Sequence, residues 1–314
     1  MLCAAMSVTE SDISWQLLRQ IVQGWAGSSA DLAQVKPLFG GCVNTTLQLS
    51  LADGQNVVLK ISPHRVNHSY RDEVHQLSLL RGLGIPVPDV YQCVVGTLDF
   101  PHSYLLMQFV DGTDWAKAKH SCTPEQFEHL QHELAAIVAK MHSVTGDRFG
   151  RVHADGHLLA DSWAAFYADL YQPIFDAVKS SPLVPVKTRK HLAKIHHKLE
   201  AWLAHSDPPR LVHWDLWSGN LLAKLNGDGH WHVAAVLDPN CKFAHAEAEL
   251  AYLDLFHTTT PAFYKAYQHH HKLDSDYHRV RKPIYQLYEL MNHVQLFGSE
   301  YVKPMCAALD RVVA

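Results

Sequence analysis

The period of the hydrophobic pattern changes near Asp111–Gly112, and this change constrains the fold more than any other feature of the chain. Before it, residues 35–62 alternate apolar and polar side chains around Asp53–Gly54, a pair typical of a β-hairpin turn. After it, apolar side chains recur at helical spacing over 124–143, 161–178, 185–204, 247–256 and 276–298. The pattern predicts an α+β chain of two lobes. A small antiparallel β-sheet forms the N-lobe over 1–110, and a mainly helical C-lobe follows over 111–314.

Further elements complete these two lobes. Helical spacing over 12–25 and 68–84 predicts one helix before the hairpin and one after it. Residues 85–93 and 103–110 favour two more strands, so the N-lobe is a sheet with one inserted helix. The C-lobe has an exception to its helical pattern at 211–238, where two short strands flank a turn.

Composition excludes several classes of partner. The net charge is -4 with histidine neutral, which gives no electrostatic reason to expect nucleic acid. No apolar run approaches the ~18 residues of a membrane span, and the first residues lack the basic start of a secretory signal. The six cysteines form no CxxC pair. We therefore expect a cytoplasmic protein with free thiols.

Histidine is the one unusual component, with 24 residues. The densest run, His269–His271, is either a metal site or the solvated end of a helix. No HExxH or other zinc-ligand spacing occurs in the chain.

The stretch "LVHWDLWSGN" (211–220) carries the strongest chemical signal. It places His213, Asp215 and Asn220 between a predicted helix and a predicted hairpin, and that hairpin ends at Asp238. Carboxylate and amide oxygens at loop ends are ligands that suit Mg²⁺. An HxDxxxxN loop followed by a later Asp is the arrangement of a kinase catalytic loop. Asp215 is then the catalytic base, and Asn220 and Asp238 hold Mg²⁺ on the phosphates of ATP.

A nucleotide-binding half is present upstream. Gly40 and Gly41, with the short polar Asn44, lie in a turn whose backbone amides can cover phosphates. Lys60 ends the strand "VVLK", where its charge can reach the α/β-phosphates, and Glu73 on the next helix is placed to pair with it.

The strand 105–110 contributes the nucleobase side of this half. Its residues Met107, Gln108 and Phe109 lead to the predicted junction of the lobes, where backbone groups can pair with an adenine edge. Each of these signals is weak alone, because double glycines and Lys–Glu pairs are common. Their order along the chain, on the predicted elements, indicates a bilobal protein-kinase-like fold.

Three segments resemble a known family. "HWDLWSGN" (213–220) resembles the "HGDLWSGN" box of the fructosamine kinases (ketosamine-3-kinases), within the aminoglycoside-phosphotransferase-like group of small-molecule kinases. Residues 237–256 resemble the family's "DPA…YGDREVDLAMTELF" segment. Residues 281–301 are similar to its "R-x-x-L-Y-x-L-Y-x-L-x-N-H-x-x-L-F-G" C-terminal helix.

The resemblance implies roles for individual residues. It supports Asp215 as base, Asn220 and Asp238 as Mg²⁺ ligands, and Lys60 with Glu73 as the phosphate-binding pair. It also implies substrate roles for Trp217, which can stack on a sugar ring or belong to the lobe core, and for Glu247, whose charge can bind an amine.

Three positions depart from the family pattern. Trp214 stands where the family has Gly, Asn240 where it has Ala, and Glu249 where it has Asp. These changes affect the expected acceptor rather than the nucleotide chemistry. A further residue, Cys42, lies in the glycine loop. It is either a small buried side chain or an exposed thiol whose oxidation blocks the loop.

The expected function is an ATP- and Mg²⁺-dependent kinase that phosphorylates a sugar hydroxyl of a ketosamine, a deglycation repair reaction that extends to glycated lysines of proteins. One alternative keeps the chemistry with an aminoglycoside, choline-like or other amino-alcohol acceptor. Another is a catalytically silent pseudokinase that acts as a binding module. The sequence does not decide the oligomeric state.

Overall fold

The structure, a computed structural model, describes residues 13–38, 45–63, 70–155, 159–205 and 207–313. The chain divides into two compact units. Unit 1 comprises residues 1–112 with the short segment 234–237, and unit 2 comprises 113–233 and 238–314. The sequence placed the division at 110/111 and did not anticipate that 234–237 returns to unit 1.

Unit 1 is a five-stranded antiparallel sheet of order β1-β2-β3-β5-β4 with two helices. Its elements in chain order are α1 (Trp15–Ala26), β1 (Leu32–Pro37), β2 (Thr45–Leu51), β3 (Asn56–Pro63), α2 (Arg71–Gly82), β4 (Val90–Val94) and β5 (His102–Gln108). The predicted sheet with an inserted helix is confirmed.

The hairpin between β2 and β3 forms where Asp53–Gly54 predicted it. Gly54 has φ +91°, a left-handed conformation that costs glycine nothing. Leu51 N–H donates to the carbonyl of Gln55 at 2.8 Å and closes the turn. The turn sets the register of β3 against β2, with Thr46 opposite Lys60.

The core of unit 1 lies between α1 and the sheet. Leu18, Ile21 and Val22 of α1 are buried in one cluster with Leu47 and Leu49 of β2. These positions follow the 3.6-residue period on the helix and the two-residue period on the strand, so each element buries one face.

Unit 2 is mainly helical with two small sheets. Its elements are β6 (Thr113–Asp114), α3 (Trp115–Ser121), α4 (Pro124–His142), β7 (Phe149–Arg151), β8 (Leu159–Ala160), α5 (Trp163–Ser180), α6 (Val186–His196), α7 (Leu199–Leu203), β9 (Arg210–Val212), β10 (Leu221–Leu225), β11 (Trp231–Val236, whose residues 234–236 belong to unit 1), β12 (Lys242–Ala244), α8 (Ala246–Leu255), α9 (Pro261–Tyr267), α10 (Lys282–Phe297) and α11 (Val302–Val313). The sheets have the orders β11-β10-β6 and β8-β7-β12-β9.

Several of these elements differ from the prediction. The predicted helix 185–204 is two helices, α6 and α7, and nothing in its sequence marks the break. The predicted helix 276–298 begins with a π-helical turn, Tyr277–Arg281, before α10. The two- and three-residue strands were missed because such short segments show no period.

An aromatic core joins α5 to α10. Trp163, Tyr167 and Tyr171 on α5 pack with Tyr285 and Tyr288 on α10. The indole N–H of Trp163 donates to the Tyr285 hydroxyl at 2.9 Å, so this buried polar pair is satisfied. Among the described residues, no helix has the length and apolar character needed to cross a membrane.

Candidate active site

Lys60 and Glu73 form a buried ion pair in unit 1. Lys60 Nζ lies 2.6 Å from Glu73 Oε1, and the two side chains are 9% and 14% exposed. Strand β3 pairs with β2 on one side and β5 on the other, with Lys60 opposite Thr46 and Leu105. Because the strand is held on both edges, the ammonium group has a fixed position. This is the pairing that the sequence predicted.

The glycine loop lies outside the described residues. Gly40, Gly41, Asn44 and Cys42 all fall in the undescribed segment 39–44 between β1 and β2. The sequence-based assignments for these residues stay predictions.

The predicted nucleobase segment lies at the end of β5. Met107 is buried, and Phe109 is half-buried directly after the strand. Two hydrogen bonds join Gln108 to Asp89. The backbone N–H of Asp89 donates to the Gln108 side-chain oxygen at 3.1 Å, and the backbone N–H of Gln108 donates to the Asp89 carbonyl at 2.8 Å. The strand end is therefore anchored within unit 1.

In unit 2, the loop that carries Asp215 follows β9 and begins with a strained residue. Trp214 has φ +70°, in the left-handed region that bulky side chains rarely adopt. Its ring faces Lys242, whose Nζ lies 4.5 Å from the ring centroid. His213, fully buried, accepts the Asp215 N–H on Nδ1 at 3.3 Å, so it supports the loop from inside.

Glu249 on α8 holds this loop in place. Its Oε1 accepts the Trp214 N–H at 2.8 Å, and its Oε2 contacts His142 Nε2 at 2.8 Å. The other ring nitrogen of His142 contacts the Tyr267 hydroxyl at 2.8 Å. Burial by itself raises the pKa of Glu249, but the hydrogen bond from His142 and nearby positive charge lower it overall. An ionised, fully bonded carboxylate therefore fixes the strained peptide.

Asp215 receives two side-chain hydrogen bonds. The Tyr252 hydroxyl donates to Oδ1 at 2.7 Å, and the Asn220 amide donates to Oδ2 at 3.1 Å and to the Asp215 carbonyl at 2.8 Å. Burial raises the pKa of Asp215, and the charge of Asp238 adds to that rise, while both hydrogen bonds oppose it. The result is an oriented carboxylate that is more basic than a solvated one. The sequence alone did not identify Tyr252.

The predicted metal ligands lie on either side of the β10–β11 hairpin. Asn220 ends a 3₁₀ turn, Ser218–Asn220, and because its amide nitrogen donates to Asp215, its oxygen is the atom left for a cation. Asp238 follows β11 with φ +54°, a conformation that Asp tolerates better than most residues. The mutual repulsion of Asp215 and Asp238 and the hard oxygen donors both fit a divalent cation such as Mg²⁺.

Gly219 is required by the ring of Trp217. A Cβ at position 219 would lie 2.4 Å from two indole atoms, which no real contact allows. From the sequence, this tryptophan is either a stacking surface or part of the lobe core. In the structure Trp217 is half-buried, and its ring centroid lies 6.4 Å from that of Phe256.

More aromatic rings continue from Trp217. Phe256 packs on Tyr252 at 4.8 Å and on His293 at 5.0 Å between centroids. These rings come from α8, its end and α10, so residues distant in sequence form one surface beside Asp215.

Glu247 does not offer the free charge that its sequence position suggested. It is buried, and Arg281 binds it with two parallel contacts, Nε to Oε2 and Nη2 to Oε1, the second at 2.7 Å. Arg281 also binds Asp274 at 2.7 Å. A carboxylate neutralised by a bidentate guanidinium is a structural ion pair, which is the interpretation that this geometry favours over a substrate contact.

Two buried ionisable groups near Asp215 were missed. Lys242 is almost fully buried, and its Nζ donates to the Asn240 carbonyl at 3.0 Å. Glu289 on α10 is 8% exposed. The charges of Lys242 and Asp215 both affect its pKa. Burial raises the pKa of Glu289 to about 8 and lowers that of Lys242 well below its usual range. No motif marks either residue.

Among the described residues, His269–His271 form no grouping with metal-ligand spacing. In the part of the chain that the structure describes, the grouping with metal-ligand spacing is His205, Asp207 and His245, within 4.8 Å of one another. His245 already has partners on both ring nitrogens, the Tyr285 hydroxyl at 2.8 Å and Asp207 Oδ2 at 3.2 Å. We interpret the grouping as a polar joint between the segment before β9 and the start of α8.

The two units carry the parts of one kind of catalyst. Unit 1 is an antiparallel sheet with a buried Lys–Glu pair, and unit 2 is helical with an HxDxxxxN loop and a later Asp. Together they define a phosphotransferase of the protein-kinase-like class.

Comparisons with known proteins identify the family. The fructosamine kinase family model matches residues 14–314. A relative from Vibrio parahaemolyticus, named "Probable ketoamine kinase", is 33% identical over 309 residues, which cover 96% of this chain and 99% of that protein. This chain belongs to the fructosamine kinase family, whose members transfer a phosphoryl group to a sugar hydroxyl.

Solved structures share the fold. The crystal structure named "Putative fructosamine-3-kinase" from Haemophilus somnus 129PT has a TM-score of 0.74 at 22% identity and covers 96% of this chain and 98% of its own. A thermostable mutant of aminoglycoside phosphotransferase APH(4)-Ia, in ternary complex with AMP-PNP and hygromycin B, has a TM-score of 0.67 at 15% identity, with 95% and 99% covered. The bilobal kinase-like fold predicted from the sequence is confirmed.

Proposed function

We propose that this protein is an ATP- and Mg²⁺-dependent ketosamine kinase that acts in the repair of glycated amines. The observation that carries the proposal is the Asp215 carboxylate, held by the Tyr252 hydroxyl at 2.7 Å and the Asn220 amide at 3.1 Å. A partly buried carboxylate with a raised pKa, fixed in orientation, suits a general base that accepts the proton of an attacking hydroxyl.

The donor side rests on Lys60 and Glu73. In this proposal the Lys60 ammonium contacts the α/β-phosphates of ATP, while Glu73 keeps it oriented through their 2.6 Å ion pair. Gly40, Gly41 and Asn44 supply the phosphate-covering loop, and Met107, Gln108 and Phe109 supply the nucleobase side. The AMP-PNP bound by the aminoglycoside phosphotransferase of the same fold supports a nucleotide as donor.

Asn220 and Asp238 are the residues that would hold Mg²⁺. When bound, the ion neutralises phosphate charge as the phosphoryl group is transferred. The residues of this chain provide a carboxylate and an amide oxygen, and the nearby charge of Asp215 adds to the attraction for a cation.

On the acceptor side, Trp217 offers a partly exposed indole face for a sugar ring. Aromatic faces contribute apolar contact area at little entropic cost, because the side chain has few rotatable bonds. The sugar hydroxyl then lies near Asp215, two residues before Trp217. In a ketosamine, phosphorylation of the 3-hydroxyl yields an unstable product that releases the free amine. Such acceptors include glycated lysines, both free and in proteins.

The test is an ATP-consumption assay with fructosyl-lysine, free fructose, lysine, an aminoglycoside and choline as acceptors. We expect fructosyl-lysine to be the preferred substrate. The Asp215→Asn variant should lose about 10²–10⁴-fold in kcat, because an amide cannot accept the proton, while nucleotide binding persists.

The matched control is Asp228→Asn, which changes an exposed aspartate of the β10–β11 turn in the same way. It should keep wild-type turnover. Near wild-type activity of Asp215→Asn would remove Asp215 from the mechanism. Better turnover of the aminoglycoside or of choline would replace the ketosamine acceptor by that class.

A further inference from the structure

The Glu289 side chain is a buried carboxylic acid without a hydrogen-bond or ion-pair partner in the described part of the chain. It lies in the middle of α10 and is 8% exposed. Within the described ranges, no side chain or backbone group donates a hydrogen bond to its carboxylate, and no cation forms an ion pair with it. The neighbouring buried carboxylates differ, since Glu247 is bound by Arg281 and Glu249 by His142 and Trp214 N–H. Leaving a charged group buried and unpaired is costly, so Glu289 calls for an explanation outside protein stability.

The neighbours of Glu289 on α10 contact the part of α8 that carries Tyr252, the residue whose hydroxyl binds Asp215. Residues three and four apart share a helix face, so Glu289 lies between Gln286 and His293 on α10. Gln286 donates to the Ala251 carbonyl of α8 at 3.2 Å, and the His293 ring packs on Phe256 at 5.0 Å. Tyr252, between these two α8 contacts, donates to Asp215, and its pKa is raised by burial, by the charge of Asp215 and by the charge of Glu289.

Lys242 is the cation that acts electrostatically on Glu289, but its direct contacts are with other groups. Its Nζ is engaged by the Asn240 carbonyl at 3.0 Å and by the Trp214 ring at 4.5 Å from the centroid, and it makes no ion pair with Glu289. Burial favours the neutral form of each group. It raises the pKa of Glu289 to about 8 and lowers the pKa of Lys242. A positive charge that binds beside Glu289 would favour its ionised form and gain a charge-assisted hydrogen bond.

We propose that Glu289 is the specificity-determining residue that binds the ammonium group of the acceptor. This inference rests on the proposed function, because it assumes an acceptor that presents its sugar hydroxyl to Asp215 and carries an amine on the same carbon chain. Trp217 and the Phe256 ring bind the sugar and its apolar neighbours, and Glu289 selects a cationic amine over a neutral substituent. The role assigned from sequence to Glu247, which Arg281 binds, thus passes to Glu289.

The test compares two acceptors that differ in one atom. The first is 1-butylamino-1-deoxyfructose, a cationic ketosamine, and the second is the neutral ether in which oxygen replaces the amine nitrogen. In Glu289→Gln we expect kcat/KM for the amine to fall roughly 10- to 100-fold, the range of a hydrogen bond to a charged group. The kcat/KM for the ether and the KM for ATP should stay within about twofold of wild type.

Glu300→Gln, which changes an exposed glutamate shortly after α10, is the control and should alter none of these values. An equal loss for amine and ether in Glu289→Gln would overturn the proposal and leave the ketosamine kinase assignment standing.

If the wild type phosphorylates neither acceptor, the proposed function fails, and calorimetric titration of the same pair decides the role of Glu289. Amine-selective binding that is lost in Glu289→Gln supports it, and binding that does not distinguish amine from ether overturns it.

Discussion

The residue before the predicted base shows why the family pattern has a glycine at this position. Trp214 has φ +70°, and an L-residue in this region costs about 1–2 kcal/mol relative to glycine. The chain retains a tryptophan because other contacts offset the strain. The backbone N–H of Trp214 donates to Glu249 at 2.8 Å, and the indole ring lies against the ammonium group of the buried Lys242.

Two substitutions separate strain from packing at this residue. Trp214→Ala and Trp214→Gly both remove the indole, but only glycine removes the left-handed strain. We expect the glycine variant to be more stable than the alanine variant by about 1 kcal/mol, the reverse of the usual order. Urea unfolding of both variants measures this difference. A more stable alanine variant would show that position 214 is not strained.

At the scale of elements, the segment from β9 to β10 owes its form to contacts rather than to repetitive structure. A 3₁₀ turn, Ser218–Asn220, brings the Asn220 amide to Asp215, and the close contact between Gly219 and the Trp217 ring fixes the direction of the indole. A glycine between a loop and a strand usually serves a tight backbone turn. The structure gives a different reason, which is lack of space for a Cβ.

This contact predicts the effect of adding one methyl group. Gly219→Ala must displace the Trp217 ring, and overpacking of this kind costs about 1–3 kcal/mol. We expect the KM for the acceptor to rise about tenfold and the KM for ATP to change little. The control is Gly227→Ala in the β10–β11 turn, where an added Cβ meets nothing within 4 Å. Parallel increases in both KM values would argue against Trp217 as a sugar-binding surface.

At the scale of the whole molecule, the buried ionisable groups of unit 2 act on stability. Glu289 interacts electrostatically with Lys242 on β12, Asp215 on the loop after β9 and the tyrosines Tyr252, Tyr167 and Tyr288. Its pKa of about 8 in the folded protein lies above the ordinary value of 4.5. Between these two values the folded state holds a proton that the unfolded state has released. The free energy of unfolding therefore falls as pH rises through this window.

Replacing the Glu289 carboxyl by an amide should abolish this pH-dependent fall in the free energy of unfolding. At pH 5 we expect Glu289→Gln and wild type to have similar Tm values. As pH rises to about 8 the variant should become progressively more stable, and the difference should level off above that pH. Thermal unfolding at intervals of pH, with Glu300→Gln as control, measures the difference. A pH-independent difference would mean that the Glu289 carboxyl does not titrate in this window.

The sequence by itself determined the local features of this protein. The two-residue period and Asp53–Gly54 specified the hairpin, and the helical period specified α4, α5 and α8, because neighbours within a few residues decide these elements. The motif around Asp215 and the pair Lys60–Glu73 were also visible, since their residue types and order carry the chemistry.

Only the tertiary structure decided which distant side chains meet. Tyr252 reaches Asp215 across 37 residues, and Arg281 binds Glu247 across 34. The same packing buries the Glu289 carboxyl group with no hydrogen bond or ion pair from the residues that the structure describes, although its sequence position resembles that of any polar residue in a helix. Sequence spacing can indicate that an acidic residue is near the site, but whether its charge is free depends on which cation the fold brings beside it. That depends on the packing of whole helices and strands, so it appears only when the chain is folded.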